Sequence, residues 1–396
     1  MKIPITKPFF DENEKKAILE PLESGWVVQG PKVAEFENKI KEFTGAKFAK
    51  ATSSCTTALH LALIACNVSC GDDVILPSFT YIATANAVEY VKAKPVFVDI
   101  DLRTYTIDIN QVERLITEKT KAIIPVQLFG LSADMNVVLK LAERYNLRVI
   151  EDAACAMGAF YRGKHAGTMG NAGCLSFHPR KSITTGEGGM VLTNNQEIAQ
   201  KVESIRNHGA SVSDLQRHKR AGYLLPEYNI LGFNYRMTDF QGAIGVEQIK
   251  KLKKILVQKR VLAQRYDEQL EDLEWLMTPY IPPKQIHGYQ SYVCLLKPDN
   301  FTEKIDLATL SSLHQKRNDL MGRLEEKGIA TRQGTHAVHT LGYYKSKYGV
   351  RDRDFPKSLI ADNLSIALPL YPQMTDTEQE YVIEQIKEIG TRLCLV

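Results

Sequence analysis

The sequence predicts an α/β protein, with a large domain built on a mostly parallel β-sheet and a smaller C-terminal α+β domain. The first observation is that short β-branched segments alternate with helical patterns through the first half of the chain, as they do in β–α–β units. The second is that these segments are almost continuously apolar, which is typical of parallel strands covered on both faces. The third is that the alternation stops near residue 238, where a long helical pattern begins.

Six strands and four helices are predicted in the first half of the chain. The strands are expected at residues 72–77, 94–100, 121–129, 147–154, 174–178 and 188–193. The helices are expected at residues 56–66, 82–92, 108–118 and 136–146. Helices that lie between successive strands provide the crossover connections that parallel pairing requires.

The second half is predicted to begin with one long helix, or two abutting helices, at about residues 238–273. This stretch contains no proline, and it would bridge a large domain of residues 1–250 and a smaller domain of residues 251–396. In the smaller domain we expect a strand at 291–296 and helices at 318–329 and 375–389. Thr375 and Glu378 have the spacing of a capping box at the start of the last helix.

Composition and charge argue against several classes of protein. The 396 residues carry a formal net charge of only +4 and no long run of Lys or Arg, so neither nucleic acid nor a membrane surface is an expected partner. No apolar run approaches the roughly 20 residues that span a bilayer, and the N-terminal segment lacks the pattern of a secretory signal. The seven cysteines are scattered, without the paired spacing of a zinc site. We therefore expect a cytoplasmic protein with reduced thiols and no metal.

The segment 176–190, SFHPRKSITTGEGGM, places one lysine ahead of a cluster of glycines, between two predicted strands. It is not the phosphate loop of nucleotide hydrolases, in which glycines come before the lysine. Lys181 is then either a catalytic lysine or an ordinary lysine in a turn, and this segment alone leaves both interpretations open.

Five hydroxyl side chains crowd residues 52–57, TSSCTT, at the start of a predicted helix. The N-terminus of a helix offers unpaired N–H groups and the positive end of the helix dipole, which together bind phosphate. Helix capping alone requires only one such side chain. We therefore favour an anion site here over simple capping.

Glu151 and Asp152 lie near the end of the apolar strand predicted at 147–154. A carboxylate at a buried strand end is costly unless a cation or hydrogen-bond donors accompany it. No further carboxylates or histidines stand at a spacing suited to metal ligation, so an organic cation such as a protonated pyridine nitrogen is the expected partner. The alternative is an ordinary acid that caps the following turn.

Together these features match the requirements of pyridoxal 5′-phosphate, namely a phosphate site at a helix start, an acid for the pyridine nitrogen and a lysine that forms a Schiff base. In a mostly parallel sheet, ligands collect at the carboxyl ends of the strands, where these features would meet. Tyr81 closely follows the strand at 72–77 and is a candidate to stack on the pyridine ring.

The sequence resembles the DegT/DnrJ/StrS family of pyridoxal-phosphate-dependent sugar aminotransferases along nearly its whole length. Seven segments carry the resemblance in the family's order: SSCTTALHLAL, LPSFTYIATANAV, KPVFVDID, IEDAACAMGA, SFHPRKSITTGEGGMV, NYRMTDFQGAIGVEQIKKL and LPLYPQMT. The resemblance implies a fold-type I transferase whose larger domain holds the cofactor. It also implies a homodimer with shared active sites.

The resemblance also implies roles for individual residues. Lys181 matches the lysine that binds the cofactor covalently and moves protons, where some members carry histidine and act as dehydratases. Asp152 matches the partner of the pyridine nitrogen, and Tyr81 stands at the stacking position. The phosphate contacts are matched by Cys55 through its backbone, Thr56, Ser176 and, reaching from the neighbouring subunit, Asn234.

Two positions depart from the family pattern. The phosphate segment commonly reads Ser-Gly-Thr, and here Cys55 replaces the glycine, a change that a backbone contact tolerates where φ is negative. The position three residues after Asp152 is usually Gln or His and contacts the O3′ atom of the cofactor. Here it is Cys155, a weaker donor.

The expected activity is transfer of an amino group from glutamate to a nucleotide-linked keto sugar, a 4-keto-6-deoxyhexose, in amino-sugar and polysaccharide biosynthesis. Arg332, His336 and His339 are either part of the sugar-nucleotide pocket or ordinary loop residues. The alternatives are an inosose aminotransferase, a deoxysugar dehydratase or a non-catalytic relative that holds the cofactor or a sugar nucleotide. An aldolase that uses a lysine Schiff base without the cofactor leaves the phosphate segment unexplained.

Overall fold

The fold is described from a computed structural model that covers residues 1–212, 225–297 and 306–393 of the chain. Its strands are β1 (Phe48–Thr52), β2 (Asp73–Pro77), β3 (Phe79–Thr80), β4 (Lys94–Val98), β5 (Thr120–Ile123), β6 (Arg148–Asp152), β7 (Phe160–Tyr161), β8 (Lys164–His165), β9 (Ala172–Ser176), β10 (Gly189–Thr193), β11 (Leu276–Met277), β12 (Gln285–Ile286), β13 (Tyr292–Leu296), β14 (His336–Ala337) and β15 (Ser365–Leu368). Its α-helices are α1 (Glu12–Ala17), α2 (Glu20–Ser24), α3 (Pro31–Thr44), α4 (Cys55–Ala65), α5 (Ala83–Tyr90), α6 (Ile109–Val112), α7 (Met135–Arg144), α8 (Gln196–Ile205), α9 (Asp239–Leu270), α10 (Leu307–Glu326), α11 (Gly342–Tyr348), α12 (Pro356–Leu364) and α13 (Asp376–Arg392).

The largest sheet has seven strands in the order β1-β10-β9-β6-β5-β2-β4. The five strands from β9 to β4 are parallel, whereas β10 runs antiparallel to both of its neighbours. Alternate residues of β10 face different cores. Val191 packs in the core that contains α4 residues, and Met190 packs in the core that contains residues of α3 and α9. The expected mostly parallel sheet with helices on both faces is therefore confirmed.

The structure contains all six strands that were predicted in the first half. Strand β1 was not predicted because Lys50 interrupts its short apolar pattern at the sheet edge. The helix expected at 108–118 is reduced to α6 and a 3₁₀ turn at Glu113–Leu115. The helix expected at 318–329 starts earlier, at Leu307, where Asp306 caps its first turn.

Helix α9 is a single helix of 32 residues that contacts both parts of the chain. Leu252 and Ile255 pack in the core beneath β9 and β10, whereas Leu262 and Tyr266 pack in the core of the C-terminal sheet. The C-terminal sheet is antiparallel, with the order β11-β13-β15. The division of the chain at about residue 250 stays a prediction.

The capping box predicted at the last helix is present. The Thr375 hydroxyl accepts the N–H of Glu378 at 3.2 Å, and a Glu378 carboxylate oxygen accepts the N–H of Thr375 at 2.8 Å. The pattern S/T-x-x-E is therefore sufficient here to place the start of α13.

In the three described segments, no helix is long and apolar enough to cross a membrane. Over the same residues, no group of three or more His, Cys, Asp or Glu side chains is arranged to hold a metal ion. The six cysteines in these segments are all free thiols.

Replacing Asp239 by alanine is expected to destabilise the fold, because this first residue of α9 caps a different helix. Its carboxylate accepts the N–H groups of Gly30, Lys32 and Val33 at 2.9–3.1 Å, at the start of α3, where the N-cap is a glycine without a side chain. Loss of a charged cap shared by several donors costs about 3 kcal/mol. Urea denaturation measures the free energy of unfolding. Asp239→Asn, which keeps one acceptor oxygen, should lose about half as much, and an alanine variant as stable as the wild type would contradict the assignment.

Candidate active site

The carboxyl ends of β1, β6 and β9 lie together at the same end of the large sheet. Asp152 ends β6 and is paired with Cys174 of the adjacent β9, which ends at Ser176. Ser176 and Thr52, the last residue of β1, both pair with Gly189 at the start of β10. The features singled out in the sequence therefore converge where ligands bind in parallel sheets.

Helix α4 begins directly after β1, with its first turn at this end of the sheet. Ser54 is the N-cap: its hydroxyl accepts the N–H of Thr57 at 3.2 Å, and the Thr57 hydroxyl accepts the N–H of Ser54 at 3.1 Å. The Thr52 hydroxyl donates to the Ser54 carbonyl oxygen at 2.9 Å. The Ser53 hydroxyl lies 3.3 Å from that of Thr57, so four of the five hydroxyl groups bond within the turn itself. The number of hydroxyls is therefore weak evidence for an anion site.

Two backbone N–H groups of this turn are better evidence for an anion site. The N–H groups of Cys55 and Thr56 have no acceptor among the residues that the structure describes. They point from the positive end of α4. A Cβ atom on Gly189 would lie 2.3 Å from the Ser54 carbonyl oxygen, so only glycine lets β10 approach this turn. The turn is therefore fixed against the sheet with two donors available, as a bound phosphate requires.

Asp152 is a buried carboxylate held by hydrogen-bond donors. One oxygen accepts the hydroxyl of Thr84 at 2.6 Å, and the other accepts the N–H of Ala154 at 3.1 Å. Burial raises the pKa of Asp152, and these two hydrogen bonds and the charge of Lys181 oppose that shift. A carboxylate kept in a buried site in this way suits a cation that arrives with a ligand. The donor set therefore fits the protonated ring nitrogen of pyridoxal phosphate.

Thr84 was not identified from the sequence. It lies in the first turn of α5, is fully buried, and its hydroxyl is also 2.9 Å from the hydroxyl of Thr80. The sequence feature that could have identified it is a polar residue between two alanines in the helix that follows β3. A hydroxyl that faces a sheet needs an acceptor there, which would have pointed to a strand-end carboxylate.

Replacing Thr84 by valine is expected to weaken cofactor binding and to shift the pH dependence of catalysis. Valine keeps the shape but removes a hydrogen bond to a buried carboxylate, worth about 1.5–3 kcal/mol, or one to two pH units in the pKa of Asp152. Because the pKa in the folded protein rises, the acid limb of the kcat/KM profile should move to higher pH by about one unit, and the Kd for pyridoxal phosphate should rise about 10-fold. Thr84→Ser is the matched control, and an unchanged acid limb in the valine variant would rule the role out.

Glu151 precedes Asp152 on β6 and faces the other side of the sheet. It is fully buried. Its oxygens accept hydrogen bonds of 2.7–2.8 Å from the side chain of Gln127 and from the N–H groups of Gly167, Met169 and Gly170. Glu151 therefore holds the turn at 167–170, and only the second carboxylate of the pair belongs to the site.

Lys181 lies half-buried in the loop between β9 and β10 and reaches back towards β6. Its Nζ atom donates to the Sγ atom of Cys155 at 3.2 Å. Burial disfavours the ammonium form, but the neighbouring Cys155, Cys55 and Asp152 outweigh it and raise the pKa of Lys181. The residue that departs from the family pattern is therefore in contact with the lysine.

Tyr81 and Asn234 are exposed in the single chain. Tyr81 directly follows β3 and is 59% exposed. Asn234 precedes α9, and its backbone pairs with that of Asn207. The backbone carbonyl oxygen of the next residue, Tyr235, accepts the N–H of Ser53 at 2.9 Å. This hydrogen bond places the segment beside the first turn of α4. Both side chains are thus accessible for the roles that the resemblance implies.

Burial separates the candidates for the sugar pocket. His336 lies in β14, paired with Thr80, so it is next to Tyr81 at the edge of the site, and its side chain is 52% exposed. Arg332 is also exposed, and its backbone pairs with Ala367 of β15. Both side chains are accessible to a large substrate.

His339, by contrast, is fully buried. One ring nitrogen is 2.5 Å from the Ser78 hydroxyl and the other is 3.1 Å from the carbonyl oxygen of Asp352. Burial lowers the pKa of His339, so a neutral ring with both nitrogens occupied supports this loop. These contacts favour the alternative that His339 is an ordinary loop residue rather than part of the substrate pocket.

The chain belongs to the DegT/DnrJ/EryC1/StrS aminotransferase family, whose profile matches residues 8–387. GDP-perosamine synthase from Caulobacter vibrioides is 36% identical over 390 residues, which cover 98% of this chain and 98% of the relative. The Helicobacter pylori aminotransferase PseC, involved in the biosynthesis of pseudoaminic acid, superposes with a TM-score of 0.89 at 26% identity over 99% of this chain and 100% of that chain. The pyridoxal-phosphate form of a putative sugar aminotransferase, Spr1654 from Streptococcus pneumoniae, gives the same TM-score and identity over 99% of this chain and 100% of that chain.

These findings establish the class of enzyme. The protein is a pyridoxal-phosphate-dependent aminotransferase with the fold of the sugar aminotransferases. The expectations of fold class, cofactor and enzyme class drawn from the sequence are confirmed.

Proposed function

We propose that the enzyme transfers the amino group of glutamate to a nucleotide-linked keto sugar, a 4-keto-6-deoxyhexose. The observation that carries this proposal is the convergence of the Lys181 amine, the Asp152 carboxylate and the two N–H donors of α4 at one end of the large sheet. The 36% identity to a GDP-perosamine synthase over nearly the whole chain supports a nucleotide sugar as acceptor.

Each residue of the site has a distinct chemical role. Cys55 and Thr56 N–H groups, with the Ser176 hydroxyl, bind the phosphate. Asp152 holds a proton on the ring nitrogen, because a carboxylate beside that atom stabilises its charged form. Pyridoxal phosphate, when bound, supplies the carbonyl that carries the amino group and the ring that takes up negative charge. The Lys181 amine removes the proton from the amino-bearing carbon of glutamate and later delivers a proton to the sugar carbon that receives the amine.

The sugar side of the site is proposed to lie at its exposed rim. Tyr81 would stack on the cofactor ring. His336 lies beside it on β14, which pairs with β3 at Thr80, the residue before Tyr81. The exposed Arg332 would contact a diphosphate, for which a guanidinium is well suited. Cys155 contacts Lys181 and would stand near O3′ of the cofactor, as its position in the family motif implies.

The test is a panel of keto sugars offered with glutamate, with 2-oxoglutarate as the measured product. Nucleotide-linked 4-keto-6-deoxyhexoses should release 2-oxoglutarate in proportion to the amino sugar formed. Turnover of inososes alone would assign the enzyme to inosose amination instead. Loss of a sugar hydroxyl without consumption of glutamate would indicate a dehydratase.

We further propose a homodimer in which each active site is shared between subunits and Asn234 reaches the phosphate of its neighbour. Large apolar side chains exposed on the single chain support an interface: Leu22, Leu225, Tyr228 and Leu231 are each at least 61% exposed. Mixing inactive Lys181→Ala and Asn234→Asp subunits tests it. A mixed dimer retains one intact site, so activity should recover to about a quarter of the wild-type level, and no recovery after subunit exchange would contradict shared sites.

We also propose a cytoplasmic location, which the free thiols of the described cysteines support. Fractionation of cells that produce the protein would test it. Recovery in the cytoplasmic fraction is expected.

A further inference from the structure

A buried lysine on α9, Lys259, has no part in the roles described above. Its side chain is 3% exposed, and its Nζ atom donates to the carbonyl oxygen of Gln290 at 3.1 Å. Burial lowers the pKa of Lys259 to about 7, with Cys155 opposing and Lys181 reinforcing that shift. An apolar side chain would fill this helix position without the cost of burying an amine. The amine is therefore expected to have a function beyond packing.

Gln290 links Lys259 to the loop of the catalytic lysine. Its side-chain Nε2 atom donates to the carbonyl oxygen of Arg180 at 2.9 Å, and Arg180 is the residue directly before Lys181. Two consecutive hydrogen bonds thus connect the long helix to the backbone that carries the lysine.

The segment His287–Ser291, which we call the strut, is held firmly on its other side. Within it, the ring of His287 accepts the N–H of Tyr289 at 2.8 Å, and the N–H of Gly288 donates to the carbonyl oxygen of Gly130 at 2.8 Å. Tyr289 has a φ of 44°, which a residue other than glycine adopts only where its surroundings fix the backbone. A contact made through the strut is therefore made through a rigid segment.

The next residue of α9 binds both the strut and the loop between β6 and β7. Arg260 donates to the carbonyl oxygen of His287 in the strut at 3.3 Å and to that of Gly158 at 2.9 Å. Gly158 lies in the loop between β6 and β7, which also contains Cys155. The pair Lys259 and Arg260 therefore connects both loops of the active site to one helix.

We propose that Lys259 is a positioning residue of the active site, which holds the Lys181 loop through Gln290 and so aims the Lys181 amine at the cofactor carbonyl. The inference rests on the proposed role of Lys181 as the residue that binds the cofactor. Displacement of a reacting group by about 1 Å can cost about 100-fold in rate. The loop is hydrogen-bonded to Gln290 of the strut, and Gln290 is in turn hydrogen-bonded to Lys259 of α9, so the loop is protected against such displacement.

The test measures covalent attachment rather than turnover. Purified apoprotein is mixed with saturating pyridoxal phosphate, and the first-order growth of the lysine-bound cofactor's visible band is followed, with thermal unfolding recorded in parallel. Lys259→Met and Gln290→Leu should each slow this step about 10-fold or more, whereas Lys259→Arg should stay within about 3-fold of wild type. Lys253→Met, on the exposed face of the same helix, is the matched control. The Lys259→Met/Gln290→Leu double variant should be no slower than the slower single variant, because both act through one path.

A folded Lys259→Met variant that attaches the cofactor at the wild-type rate overturns the proposal, and so does a double variant in which the two effects multiply. Should Lys259→Met not fold, Gln290→Leu decides, since it keeps the acceptor of the buried amine and removes only the link to Arg180. A wild-type rate in that variant then overturns the proposal. Failure of the proposed role of Lys181 would look different, because borohydride reduction of the wild-type holoenzyme would then label another lysine.

Discussion

Replacement of Lys181 by alanine is expected to lower the kcat of transamination by about 10,000-fold. The Lys181 amine donates to the Sγ atom of Cys155 at the end of the sheet where Asp152 lies. Its removal eliminates both covalent attachment of the cofactor and the group that moves the proton. Lys259 is not expected to replace it, because its amine is buried and donates to the carbonyl oxygen of Gln290.

The measurement is 2-oxoglutarate formed from glutamate with a keto-sugar acceptor, together with the visible spectrum of the purified variant. Pyridoxal phosphate should still bind through its phosphate but without the band of the lysine-bound form. Lys164→Ala, at an exposed lysine in β8, controls for loss of an amine elsewhere. An alanine variant that keeps more than about a hundredth of the wild-type kcat would be incompatible with a proton-transfer role.

Most of the fold was predictable because its signals are local. The central strands are continuously apolar, and α13 begins at a capping box readable as Thr375 and Glu378. Strand β1 was missed for a physical reason: its residues Phe48 and Lys50 lie at the sheet edge and are partly exposed, so the strand lacks an apolar run. Its partner β10 is more than a hundred residues away in the sequence, and long-range pairing leaves no local pattern.

The site was predictable only as far as residue types stand out in sequence. Lys181 and Asp152 could be chosen because a lysine ahead of glycines and a carboxylate after an apolar strand are unusual. Burial could not be read in the same way, so His339 appeared equivalent to His336 although the two differ completely in exposure. Thr84 and Lys259 were missed because their importance depends on contacts with distant residues rather than on any pattern around them.

Replacement of Asp152 by asparagine is expected to lower kcat by about 100- to 1,000-fold, because an amide no longer stabilises the protonated ring nitrogen. The apoprotein should not be destabilised in the same proportion. Burial raises the pKa of this carboxyl group, which means that the charged form is disfavoured in the folded protein, and a neutral side chain of the same shape removes that cost. Asparagine keeps one oxygen that can accept the hydroxyl of Thr84 and loses only the acceptor of the Ala154 N–H, whereas Glu151 accepts four hydrogen bonds.

Glu151→Gln is the matched control, since it makes the same chemical change one residue away on the other face of β6. Its four hydrogen bonds hold the turn at 167–170, and a glutamine cannot accept from donors at both oxygens. This variant should therefore lose about 2–3 kcal/mol of unfolding free energy while the kcat of the folded fraction changes little. Chemical denaturation and steady-state kinetics are measured on both variants. Asp152→Asn should lose activity and keep most of its stability, whereas Glu151→Gln should lose stability and keep its activity. If both variants lost stability alone, Asp152 would be a structural carboxylate like its neighbour, and the site would lack its partner for the ring nitrogen.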